Sequence, residues 1–144
     1  MASALLLSGV SSAAQDSRLK IATGNWKGKP VRVEIRFEPG RSDECPVGFN
    51  NCLVARGFDV KVAGQDLVVP RTVYSGMFNV LKVSVLGKGA NPIIVIEGGD
   101  GSESYTIRLG FDGERILDRT LYGGTSPDEM LEKTRYFRVV VGEE

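Results

Sequence analysis

From Leu19 onward, apolar and polar side chains alternate along most of the chain, the period of strands that bury one face. Val31, Val33, Ile35 and Phe37 alternate with Arg32, Glu34, Arg36 and Glu38 until Pro39-Gly40 stops the run. Phe58, Val60 and Val62 alternate with Asp59, Lys61 and Ala63; Gly64-Gln65-Asp66 turns the chain, and Leu67-Val68-Val69 begins a return that ends at Pro70. Residues 72–86 are expected to hold one long strand or two shorter ones, with Leu81, Val83 and Val85 on one face and Gly76 at a bend or bulge. The unbroken β-branched run Ile93-Ile94-Val95-Ile96 predicts a strand buried on both faces. Tyr105, Ile107, Leu109 and Phe111 form the next apolar face, Asp112-Gly113 signals a hairpin, and residues 115–122 return until Gly123-Gly124. A last strand is expected over residues 136–141. Before it, Ser126-Pro127-Asp128-Glu129 fits a capping box with proline at the first helical position. A turn or two of helix through Met130, Leu131 and Lys133 therefore competes there with an irregular loop.

Strands joined by short turns, with almost no helix between them, describe an all-β antiparallel meander. Roughly eight to ten strands suit a small closed barrel, lipocalin-like in architecture, with a two-sheet β-sandwich as the alternative. Closure is the favoured reading because it removes exposed sheet edges. No linker divides the chain, so residues 15–144 are expected to form one domain. Gly24-Asn25-Trp26, just ahead of the first clear strand, resembles the Gly-x-Trp of lipocalins. The resemblance covers three residues and implies a Trp26 that plugs one end of a barrel; the mid-chain Thr-Asp-Tyr type turn of that family is not evident.

Composition narrows the chemistry. The 144 residues carry 18 basic and 18 acidic side chains, so no net charge draws the protein toward nucleic acid or an anionic membrane. Histidine is absent, which removes the commonest general base, the Ser-His and Cys-His pairs and the commonest metal ligand. Ser75, in Tyr74-Ser75-Gly76, has no base and no Gly-x-Ser-x-Gly elbow, and reads as structural. Asp100, Glu103, Asp112 and Glu114 fall in or near turns, where acidic residues gather for conformational reasons. Gly98-Gly99-Asp100-Gly101 lacks the Lys-Ser/Thr and helix of a phosphate loop. No cofactor and no metal is implied.

The N-terminus has the composition of an export signal. An apolar run through Leu5-Leu6-Leu7 leads into small residues, with Ser12 and Ala14 at the −3 and −1 positions and Gln15 as the first mature residue. Residues 1–14 are thus a signal peptide or, alternatively, a disordered leader; the run is too short to span a bilayer, and no Lys or Arg precedes it. Cys45 and Cys52 are the two cysteines, and in an exported protein they are expected to pair. The alternative is two free, buried thiols.

These readings converge on a periplasmic or secreted, non-catalytic binding protein, an inhibitor or immunity-type module acting on a protein partner. The loop over residues 41–51, where the disulfide holds Pro46, Val47 and Phe49, and Arg115 and Arg119, from a C-terminal set with Arg108, Arg135 and Arg138, supply the candidate contacts. An alternative is a carrier of a small apolar ligand, with a cavity lined by Trp26, Val33, Ile35, Leu81, Val83, Ile107 and Leu109. A carboxylate-based hydrolase ranks last.

Overall fold

The computed structural model describes residues 18–46, 51–87, 91–124, 126 and 128–137. Among them, β1 (Leu19–Trp26), β2 (Lys29–Pro39), β3 (Leu53–Val62) and β4 (Gln65–Asp66) form one antiparallel sheet in chain order. A second antiparallel sheet runs through β5 (Val80–Leu86), β6 (Ile93–Gly98), β7 (Tyr105–Phe111), β8 (Ile116–Gly123) and β9 (Met130–Arg135). Local chemistry sets the hairpins. Lys27-Gly28 and Ala63-Gly64 both take positive φ at two successive residues, the geometry whose twist matches that of the flanking strands. At the β7–β8 turn the Asp112 carboxylate accepts the backbone N–H groups of Glu114 and Arg115 at 2.8 and 2.9 Å.

Register aligns apolar residues across each sheet. Val33 faces Val60 and Ile35 faces Phe58 in the first sheet; Ile94 faces Leu109 and Ile96 faces Ile107 in the second. These inner faces merge into one core, in which Val31, Val33, Ile35, Ile94, Ile96, Leu109, Phe111 and Ile116 are buried. Trp26 belongs to that core and meets the Phe111 ring edge-on at 6.1 Å, while Lys27 and Lys29 approach its ring at 5.4 and 5.6 Å.

The expected closed barrel is not found among the described residues; a sandwich-like arrangement of two sheets fits at least as well. The sheets meet at seams rather than along a closing ladder. At one, β1 lies against β5 so closely that a Cβ on Gly24 would sit 2.9 Å from Val85 Cβ, and one on Gly87 would sit 1.6 Å from the Asn25 carbonyl oxygen. At another, the segment leading into β5 first pairs with β3, through Ala55 N–H to Met77 O and Asn79 N–H to Leu53 O. A third couples Val68 to the β7–β8 turn by a parallel bridge to Arg115.

Several local expectations are corrected. The segment after Pro70 opens as a 3₁₀ turn, Arg71–Val73, and a strand begins only at Val80. Val80 pairs with Gly98 and Lys82 with Glu97, so a bulge leaves Leu81 unpaired and turns it outward, 67% exposed. Leu67 still bonds to β3, its N–H to Val60 O at 2.9 Å, but Val68 leaves the return and bonds across to Glu114 O and Ile116 N–H. In β6, Ile94 and Ile96 are buried but Ile93 and Val95 only partly so, because the second sheet has one covered face. The capping-box segment leads into neither helix nor loop but into β9, whose ladder with β8 satisfies more backbone groups than one helical turn would. Of the strand expected over residues 136–141, Tyr136 and Phe137 follow β9 outside any strand, and residues 138–141 lie outside the described residues.

Candidate functional site

The two cysteines form a disulfide, with Cα atoms 5.7 Å apart. It closes a short loop, for which chain entropy gives roughly 2–3 kcal/mol of stabilisation. Just ahead of it, residues 41–44 make a reciprocal turn: Glu44 N–H bonds to Arg41 O at 2.9 Å, and Glu44 Oε1 accepts the Arg41 N–H at 2.8 Å. Both Glu44 oxygens also accept from the Arg56 guanidinium, each at 2.8 Å, a two-pronged pair that fixes both side chains. Hydrogen bonds from Arg56 and from the Arg41 backbone hold the Glu44 carboxyl down at about 2, against an ordinary value of 4.5. Arg41 reaches Asp43 at 3.1 Å. Arg56 is available for this because it is the bulged residue of β3: Arg36 pairs with Gly57 and Phe37 with Ala55.

This network walls a surface cleft of about 510 Å³ whose opposite side is the turn after Pro70. Asp43, Glu44 and Arg56 lie on one side, and Arg71, Tyr74 and Ser75 on the other. The turn is rigidly placed. Its carbonyl at Arg71 accepts the N–H groups of Tyr74 and Ser75, the Tyr74 ring stacks on Phe58 at 6.0 Å, and Arg119 Nε donates to Val73 O at 3.2 Å. Among the described residues the Arg71 side chain has no carboxylate partner, and the Tyr74 and Ser75 hydroxyls hold no hydrogen bond. The cleft therefore offers one uncommitted cation and two hydroxyls against a wall whose charges are already satisfied.

The sequence-derived candidates fall in several places. Pro46 is half-buried beside the disulfide; Val47, Phe49, Arg138 and the 1–14 leader lie outside the described residues. Arg119, only 12% exposed in its side chain, is committed to Val73 O and to Glu132 at 2.7 Å, and Arg115 donates to Tyr136 O at 2.7 Å. Both arginines fasten the β8–β9 end of the second sheet rather than project from it. Arg115 also borders a smaller, apolar notch of about 350 Å³ with Val68 and Phe137. The residues expected to line a ligand cavity are packed instead. Val33, Ile35 and Leu109 have 0% and Ile107 1% of their surface accessible, whereas a side chain facing a void wide enough for water would show accessible area. Trp26 is likewise buried, Val83 is half-buried and Leu81 points to solvent. No group of three or more Cys, Asp or Glu residues positioned to hold a metal occurs among the described residues, nor a helix long and apolar enough to cross a membrane.

The loop over residues 41–51, which holds Glu44, is legible as a candidate in the sequence; Arg56 and Arg71 are not. Pro70 was the one local signal, as a strand stop; nothing in the spacing of residues 44, 56 and 71 announces that they share a cleft. No protein-family model, curated protein or solved structure matches the chain.

Proposed function

We propose that the chain is an exported, non-catalytic binding protein that docks a protein partner as an inhibitor or immunity-type module, using the face that carries the disulfide and the Arg71 cleft. The observation that carries this reading is the contrast between a packed interior and an open polar cleft held between a disulfide-braced turn and a fixed 3₁₀ turn. Rigid surface features of this kind lose little entropy on association. The disulfide is compatible with an oxidising, extracytoplasmic compartment, periplasmic or secreted, and the small-residue site ending at Ala14 fits an export leader. The absence of histidine favours binding over catalysis. The alternative, a carrier of a small apolar ligand, has less support, because Val33, Ile35, Ile107 and Leu109 of its expected lining keep almost no accessible surface.

The test places a photo-crosslinking residue at Ser75 on the cleft, or at Thr23 on β1 as a control, in chain directed to the extracytoplasmic space. One defined protein captured from Ser75 and not from Thr23, with a mature mass starting at Gln15, is the expected result. Equal capture from both positions, or a small apolar molecule carried through native mass spectrometry, overturns the reading.

A further inference from the structure

We propose that Arg71 is the receptor for a carboxylate, so that the cleft takes an acidic side chain of the partner; this rests on the binding-protein reading and specifies the chemistry of the contact. Arg41 and Arg56 are paired with Asp43 and Glu44, and both Glu44 oxygens are already occupied by Arg56, which leaves Arg71 as the cleft-lining cation with no carboxylate partner among the described residues. Its guanidinium offers a planar fork of donors suited to a carboxylate. Tyr74 and Ser75, on the same turn, add two hydroxyls to the lining of the cleft. The backbone beneath them is held by bonds from Tyr74 and Ser75 to Arg71 O and from Arg119 to Val73 O, so the turn that carries Arg71 is formed before the ligand arrives. A single cation without a carboxylate partner, facing a wall that carries Asp43 and Glu44, suits one monovalent group. A nucleic-acid backbone needs a track of cations, and a phosphate dianion meets repulsion from Asp43 and Glu44.

The experiment titrates the oxidised, ¹⁵N-labelled full chain with an acetylated, amidated Gly-Asp-Gly peptide at fixed ionic strength, with the Gly-Asn-Gly peptide and inorganic phosphate in parallel. Saturable shifts at the Arg71, Tyr74 and Ser75 amides and at Arg71 Nε are expected, with affinity about tenfold or more weaker for the asparagine peptide. Arg71→Gln is expected to abolish the shifts, and Arg71→Lys to restore part of the affinity. Arg71 is exposed and its side chain bonds to no described residue, so both variants keep the folded spectrum, which the same data report. Shifts that fail to saturate, shifts that persist in Arg71→Gln, or phosphate bound more tightly than the aspartate peptide at these residues would overturn the proposal. The two readings fail separately. Carboxylate binding without a crosslinked partner refutes the docking role alone; a captured partner indifferent to Arg71→Gln refutes the receptor alone.

Discussion

Glu44 shows how one side chain organises a wall of the cleft. It joins its own turn, through the Arg41 N–H, to β3, through Arg56. Because the folded protein holds its carboxyl at about 2, below the 4.5 of an unperturbed glutamate, the folded state favours the ionised form. The stability Glu44 contributes is therefore fully present above pH 4.5 and is lost as pH falls toward 2. A carboxyl-detected NMR titration should place its midpoint near 2, and Glu44→Gln should flatten the acid limb of the stability profile between those values. Glu44 lay inside a segment read as a candidate, but its partners did not. An ion pair across twelve residues depends on a bulge in β3 that apolar alternation does not encode.

At the scale of elements, Leu81 shows where alternation misleads. Its period with Val83 and Val85 placed it in the core, yet the bulge between Val80 and Lys82 shifts the phase by one residue, and Val80 becomes the buried member. Leu81→Lys should change stability by no more than about 0.5 kcal/mol. Leu109→Ala, on the packed inner face of β7, should cost about 2–5 kcal/mol. Urea denaturation of the two variants decides between a buried and an outward Leu81. The β2, β3 and β7 strands and the Asp112-Gly113 hairpin were legible because each repeats its period over several residues and ends in turn chemistry. The β9 strand was not. Its six residues, Met130–Arg135, bury little, and an isolated capping box outweighed them until β8 supplied an edge to pair with.

For the whole molecule the seams matter most. Barrel and sandwich share the same meander and differ in how β1 meets β5. Here the meeting is a close crossing that relies on two positions without a Cβ, Gly24 and Gly87. A Cβ on Gly87 would fall 1.6 Å from the Asn25 carbonyl oxygen, a backbone atom that cannot rotate aside. Gly87→Ala should therefore force the sheets apart at this corner and cost several kcal/mol, of the order seen for core overpacking and strain. Heat denaturation and Trp26 fluorescence both read it, since Trp26 ends the same strand and should become more exposed. A Gly87→Ala protein with unchanged melting temperature and emission would show that the crossing is not close.

By itself the sequence determined what local chemistry can carry. Alternation set most of the strands, Asp-Gly and Pro-Gly pairs set turns, a lone pair of cysteines predicted the staple, and the missing histidine narrowed the chemistry. These depend on neighbours along the chain, where side-chain period and backbone conformation are coupled. The tertiary structure alone decided the outward turn of Leu81, the filling of the interior, the inward commitment of Arg115 and Arg119, and the meeting of Glu44, Arg56 and Arg71 at one cleft. Each of these follows from register, bulges and the crossing of two sheets. Those features arise from burial and hydrogen-bond satisfaction over the whole chain, and a single residue's shift in register reverses which face a side chain takes.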